Sequence, residues 1–531
     1  MGGAMRSFWG GLSLAAMTAG GLLSIPVPAH PQAMTVQASE SVPEPGMRTV
    51  EPAESAEERA LRHKDRGDEF RVRDDIGHAG EEYGKALSLY GGFSLEDRLL
   101  MARYLSWSGR IDEAVRELNA ILAEDPGNAE ARIHLARCLS WRGDHRASLA
   151  ESSKVLAVSP DDKDALLARA NALKWSGDPT AGVSIYKGIL ERGEDFDTRM
   201  GLSQAFLSTG YIRGAREGAK LLTPEYPYQE KERKNLYAEI DKATRPDLGA
   251  GYSYYHDSDE NRLDRYSLSA GFWTGYWKWG VGYLYTDAAN PSRSAANHDL
   301  SLSADSRPAE WLGVGGTAGV NRTSNDNSGS MFVGSARADV TVLDGRIGAG
   351  VARKAFADTA ELIENGIRFT EIASFVEYPL PYRFTVRASH AFRDYSDDNR
   401  SHDWQGSIRH VFGLKNPTLA AGYRIRSLDF RRESGSGYFD PADYLSHRGE
   451  LSVDYAKGKG YVRLAPFIGY QSFRRRGDTP EGVFAGGEGV IGAHAADSVD
   501  IELHGEGSDE AGGSASGFTY YQFGVRMKAR F

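Results

Sequence analysis

Hydrophobic and polar residues follow two different patterns along this chain. Between residues 56 and 240 the apolar positions recur every three or four residues, as in "DEAVRELNAILAEDP" at 112–126, which predicts amphipathic helices. From about residue 246 onward apolar residues alternate with polar residues or glycine, as in "YQFGVRMKARF" at 521–531, which predicts strands. The sequence therefore predicts a multi-domain α+β chain, with a helical part followed by an antiparallel sheet.

The helical part contains a motif, Leu-x-Trp-x-Gly, that recurs with a period of 34 residues. Its tryptophans are Trp107, Trp141 and Trp175, and a proline that repeats with the same period ends two of the copies. This period is typical of the tetratricopeptide repeat, a helix–turn–helix unit that stacks into a solenoid. A shorter copy, "AFLSTGYIRGA", follows the three, and a weaker unit near 56–92 precedes them. We therefore predict a solenoid of four or five units over residues 56–240.

The repeated tryptophans have two interpretations. They lie near the end of the first helix of each unit, where they could pack between neighbouring repeats. The sequence favours this interpretation, because large aromatic side chains mostly serve packing. Alternatively, Trp107, Trp141 and Trp175 form a ladder of aromatic faces that binds sugar rings or a partner protein.

The alternating part is predicted to be a transmembrane β-barrel of about sixteen strands over residues 246–531. Short and long connections alternate along it, as they do in barrels with short periplasmic turns and longer outer loops. The long connections are predicted to include 287–295, 356–366 and 431–444. A soluble β-sandwich is the alternative, but it gives no reason for this alternation of connection lengths.

The C-terminus also fits a barrel in the outer membrane. Phe531 ends an alternating strand, which resembles the signal by which outer-membrane barrels are assembled. Aromatic pairs such as Trp277 with Trp279 and Tyr283 with Tyr285 suit the girdles where such a barrel meets the membrane surfaces. The predicted partners of this part are outer-membrane lipid and the barrel assembly machinery.

The N-terminus reads as a secretory signal peptide over residues 1–29. One arginine precedes a run of apolar and small residues that ends at Val27-Pro28-Ala29. Residues 30–55 are polar, without periodicity, and are predicted to be a flexible linker. The repeats would then lie in the periplasm of a Gram-negative cell.

The predicted strand phases place many charged side chains on the inner face of the barrel. They could line a path for an anionic polymer, because rings of charge in pores select charged solutes. They could equally form a mixed-charge wall that hydrates the lumen and pairs across strands. The cations are Arg383, Arg387, Arg393, Arg409, Arg424, Arg426, Arg463, Arg526, Lys528 and Arg530, and the carboxylates are Asp299, Asp305, Asp339, Glu450, Asp454, Asp500, Glu502 and Glu506.

The sequence gives no positive sign of catalysis, of a cofactor or of a metal site, so a non-enzymatic protein is predicted. The net charge of −10 argues against a general nucleic-acid binder. The single cysteine, Cys138, has no partner in the chain and no ligand spacing around it. The segment "GVGG" at 313–316 lies within an alternating strand and is therefore not a phosphate-binding loop.

A signal peptide, a periplasmic repeat array and a barrel of this size resemble the exopolysaccharide export proteins of the PgaA and cellulose synthase operon protein C type. The form "LSWSG" and the direct join of repeats to barrel are also similar to the YaiO family of outer-membrane proteins. The segment "GYFDPADYLS" at 437–446 is similar to a Tyr-Phe-x-Pro segment of the cellulose export barrels. The resemblance implies export of a polysaccharide, with the repeats guiding the polymer or contacting a periplasmic or inner-membrane synthase or modifying protein.

Two other functions remain open on the sequence alone. Repeat-plus-barrel proteins that deliver or assemble lipoproteins at the cell surface share this architecture, and a general diffusion porin would carry a similar barrel. A polymer export channel is expected to have a wide and mostly unplugged lumen. A delivery protein is expected to bind a client polypeptide through its repeats.

Overall fold

The computed structural model of this chain describes residues 54–324, 330–413, 416–511 and 519–531. Within these ranges, residues up to Ala205 form one compact unit, and those from Phe206 onward form a second unit that contains the sheet. The predicted α+β architecture, with helices followed by a closed antiparallel barrel, is confirmed. The predicted signal peptide and nearly all of the predicted linker lie outside the described residues.

Successive helices pack against one another along the first part of the chain. The last two, α10 and α11, belong to the same unit as the barrel. Among the described residues, none of the helices is long and apolar enough to cross a membrane. The helices are α1 Ala56–Val72, α2 Ile76–Leu89, α3 Leu95–Trp107, α4 Ile111–Glu124, α5 Ala129–Trp141, α6 His145–Val158, α7 Lys163–Trp175, α8 Pro179–Leu190, α9 Phe196–Ser208, α10 Ile212–Lys220 and α11 Pro227–Ala243.

The Leu-x-Trp-x-Gly motif forms the C-terminus of α3, α5 and α7. The tryptophan is the last residue of each helix, and the glycine two residues later has a φ of 85°, 86° or 95°. A residue with a Cβ would adopt this left-handed conformation at a cost of about 1–2 kcal/mol. Gly109, Gly143 and Gly177 therefore end the three helices at the same point of each repeat.

A polar residue begins each of the same three helices. The side chains of Ser94, Asn128 and Asp162 each accept a hydrogen bond from the backbone N–H three residues further on. Such caps satisfy N–H groups that have no partner inside the helix. The period of 34 residues is thus a period of helix starts and stops.

The core of the repeat unit is apolar and closely packed, and Cys138 is part of it. Burial raises the pKa of the Cys138 thiol to about 11, so the thiol is protonated at neutral pH and serves packing. The core cluster around it comprises Leu99, Ala102, Leu105, Ala114, Val115, Leu118, Ile121, Ala131, Leu135 and Leu139.

The sheet is a closed barrel of sixteen strands, as predicted. Each strand pairs antiparallel with the strands before and after it, and β1 pairs with β16 to close the ring. The strands are β1 Asp247–Asp257, β2 Arg262–Thr274, β3 Trp277–Asn290, β4 Arg293–Ala309, β5 Leu312–Thr323, β6 Ser330–Val342, β7 Gly345–Ala355, β8 Arg368–Leu380, β9 Phe384–Tyr395, β10 Arg400–Gly413, β11 Thr418–Phe430, β12 Asp443–Lys457, β13 Gly460–Arg474, β14 Glu481–Ala496, β15 Val499–Ser508 and β16 Tyr520–Arg530.

The two ends of the barrel differ in their connections. We call the end where β1 begins and β16 finishes the proximal end, and the opposite end the distal end. Among the described residues, the proximal connections 275–276, 310–311, 343–344, 458–459 and 497–498 are short, whereas the distal ones include the long segments 356–367 and 431–442. One predicted long connection, 287–295, is wrong, because β3 and β4 extend through it and leave only 291–292 as a turn.

The outer face of the barrel is apolar along its strands. On β16 the side chains of Tyr521, Phe523, Val525 and Met527 are all exposed on this face, and the alternate residues point inward. This alternation is the pattern of an outer-membrane-type barrel whose outer surface meets lipid. Phe531 follows β16, and its N–H donates to the carbonyl of Pro246 over 3.0 Å, which ties the last residue to the start of β1.

Helix α10 packs against the proximal end of the barrel. Arg216 donates through Nη1 to the carbonyl of Gly275 over 2.6 Å, and Arg307 donates to the carbonyl of Thr209 over 3.2 Å. Both barrel partners lie in or next to proximal turns. The segment that precedes β1 is therefore anchored at this end.

The repeat unit also contains a buried histidine. His134 lies in α5 with 8% of its surface exposed. Burial, together with the positive charges of Arg137 and Arg103, lowers the pKa of this imidazole to about 3. Folding therefore keeps His134 neutral well below the pH at which a free histidine takes up a proton.

Stability of the repeat unit should fall as the pH drops below about 6.5. Between that value and about pH 3 the unfolded chain binds a proton at His134 and the folded chain does not, so acid favours unfolding. From about pH 6.5 to pH 5 the expected loss is about 2 kcal/mol. His134→Gln should remove most of this loss, measured as thermal unfolding of the helices of the full chain by circular dichroism.

The exposed His78, changed to Gln, is the matched control, and it should leave the pH dependence of wild type in place. An equal loss of stability in wild type and in His134→Gln would contradict the assignment.

Candidate functional site in the barrel lumen

The inner face of the barrel carries the charged side chains that the strand phases predict, with one exception. Residues directly opposite each other on neighbouring strands share a face. The registers place on the inner face all of the predicted cations that lie in strands: Arg387, Arg393, Arg409, Arg424, Arg426, Arg463, Arg526, Lys528 and Arg530.

Arg383 is the exception, because it does not lie in a strand. It ends a single 3₁₀ turn, Pro381–Arg383, at the proximal end between β8 and β9, and has a φ of 65°. The expectation that it shares a strand face with Arg387 and Arg393 is therefore wrong. The segment "PLPYR" turns here because proline cannot donate to the sheet.

The inner cations are paired with carboxylates across strands. Examples are Arg387 with Glu377 at 3.2 Å and Arg530 with Asp500 at 2.7 Å. Arg409 donates instead to the hydroxyl of Ser452 over 3.1 Å. Further pairs are Lys528–Asp247 at 3.3 Å, Arg424–Glu450 at 3.5 Å, Arg463–Asp454 at 2.5 Å and Arg526–Glu502 at 3.7 Å.

The predicted carboxylates lie on the same inner face and are partnered in turn. Asp305 pairs with Arg337, Asp339 pairs with Arg307 and Arg346, and Asp299 accepts from Asn297 and Asn321; Glu506 accepts from the hydroxyl of Tyr520. The arrangement is a mixed-charge wall, so the arginines of β9–β11 do not present a sector of unbalanced positive charge.

Part of the inner wall in the proximal half of the lumen is accessible to solvent. The side chains of Asp305, Arg463 and Arg526 retain 40%, 41% and 52% of their accessible surface although they point into the barrel. A ring of sixteen strands is wide enough to enclose an aqueous channel. The proximal half therefore forms a vestibule lined by hydrated, paired charges.

At the distal mouth, in contrast, two of the described segments fold inward over the lumen. The first is the β11–β12 connection, 431–442, in which Tyr438 and Phe439 are each 1% exposed. They pack on a cluster contributed by the inner distal ends of β8, β9 and β11–β13 and by the segment that follows β7: Phe356, Leu362, Ile367, Phe369, Tyr395, Leu428, Phe430, Tyr444 and Phe473. Tyr395 and Tyr438 stack with their ring centroids 5.1 Å apart.

The second inserted segment is a short helix, α12 Ala360–Glu364, in the β7–β8 connection. It crosses the mouth, because Ala360 and Ile363 pack against Tyr255, Leu263, Ala288, Ala295 and Tyr520 on β1–β4 and β16. Two ion-pair contacts fix its ends to the opposite wall. Asp358 pairs with Arg265 at 2.8 Å, and Glu364 pairs with Arg293 at 3.3 Å.

We call α12 and the segment 431–442 together the distal cap. A layer of buried charges lies directly beneath it. Asp403 is 0% exposed and accepts from Arg426 over 3.0 and 3.1 Å, and Arg393 bridges Asp403 and Glu371 at 3.4 and 2.7 Å. In an open porin these wall residues would be hydrated. Their burial shows that the inserted segments cover the wall of β8–β11 at this level, whereas a polymer export channel is expected to have a wide and mostly unplugged lumen.

Sequence reasoning placed both inserted segments in outer loops and missed that they fold inward. The available signal is the apolar residues within them, namely Leu362 and Ile363 in the first and Tyr438 and Phe439 in the second. A solvent-exposed loop has no use for such residues.

The repeated tryptophans lie in the other unit and are not buried. Trp107, Trp141 and Trp175 are 48%, 44% and 44% exposed. Each is therefore only partly packed against its own repeat, for example Trp107 against Tyr104 with ring centroids 5.1 Å apart.

Removing the central carboxylate of the buried layer should destabilise the barrel strongly. Asp403→Asn leaves Arg393 and Arg426 buried without their shared anion, and breaking such a pair costs about 3–5 kcal/mol. The temperature at which the folded barrel loses its heat-modifiable mobility in gel electrophoresis should fall. Asp443→Asn is the control, because its pair with Arg474 is exposed and contributes about 1 kcal/mol or less. Equal effects of the two substitutions would contradict the buried layer.

Comparison with known proteins identifies the helical repeats. The tetratricopeptide repeat family matches residues 105–171. No curated protein matches the chain in sequence.

Similar solved structures fall into two groups. A bacterial polysaccharide outer membrane secretin is 12% identical with a TM-score of 0.45, over 54% of this chain and 99% of its own. CdiB from Acinetobacter baumannii is 9% identical with a TM-score of 0.36, over 54% of this chain and 60% of its own. A thermophilic tetratricopeptide repeat protein from Thermus thermophilus is 16% identical with a TM-score of 0.30, over 34% of this chain and 98% of its own. The chain thus combines tetratricopeptide repeats with a closed sixteen-stranded barrel.

Proposed function

We propose that this protein exports an exopolysaccharide across the outer membrane. The proximal end would face the periplasm, where the repeats recruit partner proteins or guide the polymer, and the distal end would face the cell surface. The observation that carries the proposal is the closed sixteen-stranded barrel with a polar, partly solvent-accessible inner wall, preceded in the chain by tetratricopeptide repeats. The inserted distal segments depart from the unplugged lumen expected of a polymer channel, so export would require them to move.

The chemistry of the lumen wall suits a hydroxyl-rich chain. Ion pairs such as Arg463 with Asp454 and Arg530 with Asp500 offer both donors and acceptors to sugar hydroxyls. Because these charges are already balanced, the wall would neither attract nor repel a neutral polymer strongly. A moving chain could exchange hydrogen bonds along such a wall without becoming trapped.

The distal seal disfavours a general diffusion porin, since small solutes would meet a closed mouth. Export would instead require α12 and the segment 431–442 to move aside. Both are connections between strands, and such segments open at lower free energy than the strands that carry them. The barrel would therefore open only when the polymer, or a partner that supplies it, displaces the cap.

Deletion of the gene in its native host tests the function directly. Polysaccharide should be lost from the cell surface and should accumulate or be degraded in the periplasm, with the two pools quantified separately. An unchanged surface pool would overturn the proposal and favour a factor that delivers or assembles lipoproteins and binds its client through the repeats.

Charges placed in the distal cap should open the channel. Leu362 and Phe439 are 0% and 1% exposed, so Leu362→Glu with Phe439→Glu buries two carboxylates in apolar surroundings and displaces both segments. Planar bilayers containing wild-type protein should show rare openings, and those with the double variant should show large, frequent ones. Ser292→Glu in the exposed β3–β4 turn is the control. Equally quiet bilayers for the correctly folded double variant would show that these segments are not the seal.

A further inference from the structure

The exposed tryptophans of the repeat unit form a regular row. Trp107, Trp141 and Trp175 are the last residues of α3, α5 and α7, so the same position of three successive first helices presents an indole ring. Each ring leaves nearly half of the residue surface uncovered. Large exposed aromatic groups in a regular array are typical of interaction surfaces.

The fold itself does not require tryptophan at this position. Helix α9 carries Ser208 at the equivalent point, two residues before Gly210, and Gly210 still adopts a φ of 76° to make the turn. The side chain can therefore be small and polar without loss of the turn. Packing accounts for only the covered part of each ring.

Polar groups flank the first two rings in the same order. Arg103 and Arg137 precede Trp107 and Trp141 by four residues, which places them beside the rings on the same face of their helices. Arg103 contacts Glu130, and Arg137 contacts Asp164 at 2.6 Å. Each arginine thus reaches a carboxylate at the start of the next first helix.

The third ring has a different cation beside it. The Nζ atom of Lys174 lies 4.8 Å from the centroid of the Trp175 ring and donates to Gln204 over 2.6 Å. The row therefore alternates aromatic faces with hydrogen-bonding groups from α3 to α9.

We infer that this row, which we call the tryptophan ladder, binds a polysaccharide chain. The inference deepens the export function proposed above and rests on it for the choice of a sugar polymer. The ladder repeats similar subsites at the period of the solenoid, so it fits a ligand that is built of identical repeating units. An ordinary peptide is not built of such units. The apolar face of a sugar ring can stack on indole, while its hydroxyls bond to the neighbouring charged pairs.

The charge of the ladder narrows the class of polymer. Arg103 and Arg137 are already engaged by Glu130 and Asp164, so the first two rings of the ladder offer no unbalanced positive charge to an acidic peptide or a polyanion. The affinity of an uncharged chain does not depend on unbalanced charge, so this pairing does not weaken its binding. The geometry therefore points to an uncharged polysaccharide, the same class that suits the paired lumen wall.

The binding test uses the full-length protein in detergent with defined sugars as probes. Linear hexamers of glucose, N-acetylglucosamine and galacturonic acid, with their dimers and monomers, are titrated by calorimetry. Wild type should bind a neutral hexamer more tightly than its dimer. The triple variant Trp107→Ala, Trp141→Ala, Trp175→Ala should weaken this binding by at least about tenfold, which corresponds to about 1.4 kcal/mol.

Two further variants keep the result interpretable. Val158→Ala removes an exposed apolar side chain away from the ladder and should leave binding unchanged. The triple change to Phe retains flat aromatic faces and should bind with intermediate affinity, and it decides the question if the alanine variant unfolds. Helicity and the melting temperature of each variant are recorded beside the titrations.

Three results of the titrations would overturn the inference. They are no binding of any hexamer by wild type at millimolar concentration, equal affinity of wild type and a folded triple variant, and preference for the acidic hexamer. Cells carrying the triple variant separate this inference from the export function. Normal surface polymer in those cells, together with loss of polymer in the deletion strain, would contradict polymer binding by the tryptophan ladder but would still support the export function.

Discussion

The barrel depends on the hydrogen-bonded pairing of its first and last strands. Strand β1 pairs with β16 along its whole length, from Asp247 opposite Arg530 to Asp257 opposite Tyr520. Lipid supplies no partners for backbone N–H and C=O groups, so an open edge would be prohibitively unfavourable there. Closure also fixes which side chains point outward around the whole ring. An apolar outer face and a polar inner face follow from it.

The polar inner face has to be hydrated, paired or covered, and the two halves of the lumen meet this requirement differently. The proximal wall is hydrated and its charges are paired across strands. The distal wall is covered by the two inserted segments, which bury Asp403 and its arginine partners. Burying ions is expensive even when they are paired. Opening the cap would return water to this layer, and hydration of these ions would offset part of the cost of exposing the apolar side chains of the cap.

The repeat unit is governed by local constraints instead. Caps and glycines set the start and the stop of each first helix, and a buried core joins neighbouring repeats. Because each repeat has the same geometry, one residue type at one position becomes a row on the solenoid surface. The exposed tryptophans are that row. The ion pairs beside the first two, Arg103–Glu130 and Arg137–Asp164, resemble the paired charges of the lumen wall.

Features that are fixed by short-range periodicity can be predicted from the sequence. The 34-residue repeat located the helix ends, and the period of two assigned Arg387, Asp339 and Lys528 to the inner face, because successive strand residues must alternate. Arg383 was misplaced since "PLPY" breaks that period. The inward folding at the distal mouth depends instead on contacts that are distant in sequence. The apolar residues of 356–366 and 431–444 indicate that these segments are packed but not on what, and the residues that hold α12 in place, such as Tyr255 and Tyr520, are more than a hundred residues away along the chain. Contacts of that range depend on how the ring closes, and no local pattern of residues encodes it.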